Sequence, residues 1–142
     1  MNFIDAVKTC FKKYASFNGR ASRSEFWFFV LFYYAVVILS IVLMIQTNSY
    51  GFFMVFIFVF AIVSLLPYLA VAVRRLHDTN QPGTLVGVAL IVSFLSRIPG
   101  LHLVGIISLG LNIIIFIMCA KDGDKKNNRF GKNIYNKKRK KR

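Results

Sequence analysis

Two arginines, a histidine and an aspartate stand almost side by side in Arg74-Arg75-Leu76-His77-Asp78. Guanidinium forks match the oxygen geometry of phosphate and carboxylate. A histidine titrates near neutral pH, so His77 could serve as a base while the arginines hold a phosphate. If the segment is helical, Arg74 shares a face with His77 and Asp78, three and four residues on. The plainer reading is a membrane stop signal in which Asp78 breaks the helix. A second cluster, Phe17-Asn18-Gly19-Arg20-Ala21-Ser22-Arg23-Ser24-Glu25-Phe26-Trp27, brings Arg20, Arg23 and Glu25. Within it, Ser22-x-x-Glu25 before an apolar run is a helix-capping pattern, and Trp27 suits an interfacial anchor. A third, Asn127-Asn128-Arg129-Phe130-Gly131, brings Arg129 and by itself reads as a turn. The candidate binding constellation is therefore Arg20, Arg23, Glu25, Arg74, Arg75, His77, Asp78 and Arg129. Cross-pairing of Glu25 with Arg74 or Arg75, and of Asp78 with Arg20 or Arg23, would neutralise charge and leave some donors for an anion.

These clusters need elements to gather them, and the composition says which. The 142 residues are 56% hydrophobic and only 17% charged, with a net charge of +14. That excludes a soluble globular domain, which carries nearer a quarter charged residues, and it excludes intrinsic disorder. Four apolar runs stand between the charges: 26–45, 50–73, 84–98 and 101–120. Each of the first, second and fourth is long enough to cross a bilayer core. The third would reach only about 22 Å as a helix, a gap that snorkelling by Arg97 or local thinning of the bilayer closes.

Orientation follows from the positive residues. Lys8, Lys12, Lys13, Arg20 and Arg23 precede the first run, and the loop 46–49 has none. Arg74 and Arg75 follow the second run, Arg97 alone stands at the end of the third, and eleven lie from Lys121 onward. Four spans with both termini in the cytoplasm put all but Arg97 on the inner side. The fold expected is all-α: an integral membrane bundle of four transmembrane helices with an N-terminal amphipathic interfacial helix. Residues 1–25 form that helix and a motif loop, 26–120 the spanning domain, and 121–142 a basic cytoplasmic tail. The first helix would place Phe3, Val7, Cys10, Phe11 and Tyr14 on one face, with Asn2 as its cap. Pro67 should kink the second span, because it cannot donate to the Val63 carbonyl. Asn80-Gln81-Pro82-Gly83 reads as a turn.

The remaining features narrow the partners. Cys10 and Cys119 are too few for a disulfide framework and read as packing residues, and no metal spacing or cofactor motif occurs. No cofactor is expected. The stretch 136–142 ends in a basic run that suits anionic lipid headgroups better than nucleic acid. No acidic residue lies mid-membrane, which argues against a proton-coupled pump. No nucleotide fingerprint, nucleophile elbow or metalloprotease helix is present.

The motifs GRASRSEFW at 19–27, RRLHDTN at 74–80 and NRFG at 128–131, in this order and separated by apolar spans, resemble a bacterial inner-membrane family. It is catalogued as domain of unknown function 805, and the likeness covers roughly residues 11 to 133. Such proteins usually continue RRLHD with a Ser-Gly-Trp stretch, where this chain has Gln81-Pro82-Gly83-Thr84-Leu85. The resemblance implies a small multi-span protein of the inner membrane, with no activity, cofactor or catalytic residue to carry over. The function expected is non-enzymatic, with the cytoplasmic-face cluster binding anionic membrane lipid or a partner protein. The protein partners expected are further copies of the chain or another membrane protein. The alternatives are an oligomeric small-solute transporter or channel and, third, an enzyme acting on a phosphorylated lipid.

Overall fold

The computed structural model describes residues 1–135, which form five helices: α1 (Phe3–Lys12), α2 (Arg23–Thr47), α3 (Tyr50–Asp78), α4 (Thr84–Leu95) and α5 (His102–Ala120). No strand occurs among the described residues beyond one isolated bridge between Asn128 and Gly131. The basic run Asn136–Arg142, expected against lipid, lies outside the described residues. Three helices, α2, α3 and α5, are long and apolar enough to cross a membrane; α4, with twelve residues, is shorter. The chain divides into two compact units. One comprises Met1–Ser16 with Ser24–Val71, the other Phe17–Arg23 with the chain from Ala72 onward.

In the first unit, α1 starts where the sequence offers a cap, the Asn2 side chain accepting from the Asp5 amide at 2.7 Å. Its small residues Ala6 and Cys10 are fully buried. Aromatic rings do the packing: Phe3 meets Phe28 edge-on at 5.9 Å, and Phe11 meets Phe29 at 5.7 Å and Phe32 at 6.1 Å. Phe32 and Tyr33 carry the ring contacts on to Phe60 of α3. Between α2 and α3 the chain reverses through Asn48 in the left-handed region (φ 50°), a conformation asparagine tolerates. Pro67 lies inside α3, and the carbonyl it cannot bond, that of Val63, accepts instead from the Tyr14 hydroxyl at 2.7 Å.

In the second unit, α4 and α5 form a hairpin that turns at Gly100 (φ 91°), a conformation glycine adopts freely. Ser93 of α4 and Ser108 of α5 share a hydrogen bond at 2.8 Å, and Asn112 donates to the Ser108 carbonyl at 2.8 Å. The apolar run to Ile98 is not helical throughout. After Leu95 the amides of Arg97 and Ile98 bond only three residues back, and Pro99 prevents continuation. At its other end α3 runs past its apolar stretch through Arg74–Asp78, so the charged motif is helical. A Cβ on Gly83 would stand 3.0 Å from His77 Nε2, so the turn into α4 approaches α3 closely; one on Gly87 would meet nothing within 4 Å.

Candidate functional site

The last turn of α3 places Asp78 fully out of solvent, and a carboxylate there must be compensated. Arg20, from the loop before α2, binds one oxygen through Nε and Nη2, both at 2.8 Å. Arg75, three residues back on the same helix, binds the other through Nη1. The Tyr135 hydroxyl donates to that second oxygen at 2.6 Å. Two guanidiniums against one carboxylate leave a surplus positive charge, and peptide dipoles absorb it. Arg20 Nη1 donates to the Lys126 carbonyl at 2.8 Å and its Nη2 to that of Asp124. Arg75 Nε donates to the Cys119 carbonyl at 3.0 Å and its Nη2 to that of Lys121. The end of α5 exposes carbonyls with no partner inside the helix, at the negative end of its dipole, so a guanidinium fork there satisfies both needs.

The segment 122–135 is laid over this knot by backbone and aromatic contacts. Asp124 donates its amide to the Asp78 carbonyl at 2.8 Å, and Asn128 Nδ2 donates to the His77 carbonyl at 2.8 Å. Asn128 and Gly131 exchange two backbone bonds of 3.1 Å, which sets Arg129 and Phe130 at the tip of a tight turn. Phe130 stacks flat on His77 with ring centres 3.9 Å apart, and the Arg129 guanidinium lies 4.7 Å from the Phe130 centre. Gly123 leaves room for the carboxylate: an added Cβ would collide with Asp78 and stand 2.6 Å from the Tyr135 hydroxyl. Burial, the bond to Asp78 and the charge of Asp78, in that order, push the Tyr135 phenol up to about 12.

Of the sequence-predicted residues, Arg20, Arg75 and Asp78 meet in the knot, and His77 and Arg129 meet through Phe130. Arg23 lies at the rim, bonded to the Ala120 carbonyl at 3.4 Å and paired with Asp122 at 2.6 Å. Arg74 is fully buried, and its carbonyl accepts from the Ala21 amide at 2.9 Å. Glu25 is buried in the first unit, where its carbonyl faces Cys10 Sγ at 4.0 Å. Of the expected partners of Asp78, Arg20 is present; Arg75 takes the second place, and Arg23 turns to Asp122 instead. Gly123, Asn128, Phe130 and Tyr135 went unseen as site residues, although Asn128 and Phe130 stand in the NRFG motif.

His77 Nδ1 lies 3.2 Å from the Gly19 carbonyl, while the Asp78 carboxylate is engaged by Arg20, Arg75 and Tyr135. Adjacent helical residues point apart, so His77 and Asp78 form no acid–base pair. Among the described residues no group of three or more His, Cys, Asp or Glu gathers to hold a metal. Beside the knot lies a shallow depression of about 620 Å³, lined by Asn80, Gly123 and 124–129.

Comparison with known proteins gives relatives in the bacterial inner membrane. The chain is 36% identical over 73 residues to the inner membrane protein YhaI of Escherichia coli (strain K12), covering 51% of this chain and 59% of that one. It is 35% identical over 75 residues to the inner membrane protein YhaH of the same strain, covering 49% and 60%. The chain thus spans about three-fifths of the length of the curated relatives it matches. No solved structure matches it. Residues 14–132, which hold all three motifs and run from Tyr14 through the turn of the knot, match the family described as "Protein of unknown function (DUF805)", and the chain belongs to that family.

Proposed function

We propose that the chain is a non-enzymatic inner-membrane protein with four spans and both termini in the cytoplasm, and that its polar end holds anionic lipid headgroups. Its parts are an amphipathic N-terminal helix and motif loop (1–25), the spanning region (26–120) and the basic tail (121–142). Charge asymmetry supports the orientation, since Arg97 is the one positive residue left outside. The α4–α5 hairpin supports the fourth span. Its bonds from Ser93 to Ser108 run α4 alongside α5, and the turn 96–101 extends it to the start of α5.

The observation that carries the lipid reading is where the donors point. Arg20 and Arg75 are buried and face the knot's own carbonyls and carboxylate. An anion is therefore left to Lys125 and Lys126, exposed around the depression, and to Arg129, also exposed, whose Nη2 donates to the Asn80 carbonyl at 3.2 Å. Cations at this depth attract anionic headgroups by about 1 kcal/mol each. The enzyme reading loses support because His77 and Asp78 are engaged separately. Purified protein should gain thermal stability from phosphatidylglycerol and little from phosphatidylcholine. Replacing Lys125, Lys126 and Arg129 together by glutamine should clearly reduce that difference, the basic run 136–142 keeping the rest. Equal stabilisation by both lipids, or an unchanged preference in the triple variant, would refute the reading.

A further inference from the structure

The middle of α5 holds a polar group that lipid cannot satisfy. Asn112 is the eleventh of the helix's nineteen residues and is exposed, among apolar neighbours such as Leu109 (63% exposed) and Ile113 (50% exposed). Its Nδ2 is held inward by the Ser108 carbonyl at 2.8 Å and by Ser93 Oγ at 3.1 Å. That bond to a carbonyl fixes which end of the carboxamide is nitrogen. Oδ1 therefore points the other way, and among the described residues it accepts from no donor. In hydrocarbon such an acceptor costs free energy until a donor reaches it.

We propose that a second copy of this chain packs on the Gly105–Leu109–Asn112 face of α5 and that the two Asn112 carboxamides pair across the contact. A two-fold interface sets each residue against its own copy, and a carboxamide is its own hydrogen-bond complement. One Nδ2 hydrogen stays on the Ser108 carbonyl; the other turns from Ser93 Oγ to the partner's Oδ1. Gly105, seven residues earlier on the same face, has nothing within 4 Å of the position of an added Cβ, so a neighbouring helix can come close there. The inference rests on α5 lying in the bilayer and not on the lipid reading above.

The test is the association of the purified full chain in phosphatidylcholine vesicles, read by single-molecule photobleaching over a range of protein-to-lipid ratios. Wild type should form dimers, and Asn112→Leu should weaken association by about three- to thirtyfold, the range for interhelical polar contacts in membranes. Gly105→Leu should weaken it comparably while leaving every Asn112 bond within the chain untouched, so it decides the matter if Asn112→Leu does not fold. Leu109→Cys should cross-link between copies and Ile114→Cys, on the far side of α5, should not. A monomeric wild type would overturn the proposal, as would wild-type association in both leucine variants or equal cross-linking from the two cysteines.

Discussion

Asp78 is the residue on which the polar end turns, because two guanidiniums and a phenol face it in a place closed to water. Asp78→Asn would leave Arg20 and Arg75 buried without their counter-charge, and breaking such a group costs about 3–5 kcal/mol. The exposed pair Arg23–Asp122 gives the contrast: Asp122→Asn should cost well under 1 kcal/mol. Thermal unfolding of the purified variants measures both, and equal losses would show that burial of the knot contributes nothing. Tyr135 adds a dependence on alkaline pH. Its proton is held more tightly in the folded chain, at about 12 against an ordinary value near 10, so its contribution is complete below pH 10 and is lost as pH rises through 12. Protease cleavage within 121–135 should therefore increase over that window. Tyr135→Phe, which keeps the ring but cannot ionise, should be cleaved more readily at neutral pH and lack this rise.

At the scale of elements, Pro67 and Tyr14 illustrate what could be read ahead of the fold. The missing donor opposite Val63 is written in the proline itself; the hydroxyl that replaces it comes from 49 residues away and leaves no local signal. The two should be coupled. Tyr14→Phe strands a carbonyl and should destabilise by about 1–3 kcal/mol. In a Pro67→Ala background the restored amide can serve Val63, so the same substitution should cost much less; additive losses in this double-mutant cycle would show that the bond does not matter. The helices themselves were legible because apolar runs and charges mark them sharply. Their ends were not: α3 continues through Arg74–Asp78 because the knot holds that turn, and α4 stops at Leu95, four residues ahead of Pro99. Arg20 and Asp78 were legible as partners from charge alone. The fold-back of 122–135 was not, because it is held largely by backbone carbonyls, an asparagine and a tyrosine, groups that carry no charge to betray them.

For the molecule as a whole, the orientation proposed above makes a direct prediction. Single cysteines placed in 46–49 or at Gly100 should react with an impermeant reagent from the periplasmic side, and Asn80→Cys should react only once the membrane is opened. Strong labelling of position 80 in intact cells would refute the four-span arrangement. The knot also has a consequence for how the chain is made. Apart from the Arg75–Asp78 pair, three residues apart on α3, its contacts join residues 44 to 106 apart in sequence, so they form after the helices they tie together. Until then Arg20, in the loop before α2, has no partner from the knot, and Arg75 and Asp78 at the end of α3 have only each other. Such charges are costly to draw into hydrocarbon, which favours the headgroup level for those ends. The same three side chains thus act twice during biogenesis: first as markers that set where each helix stops in the bilayer, then, once the later segment arrives, as the clasp that closes over it.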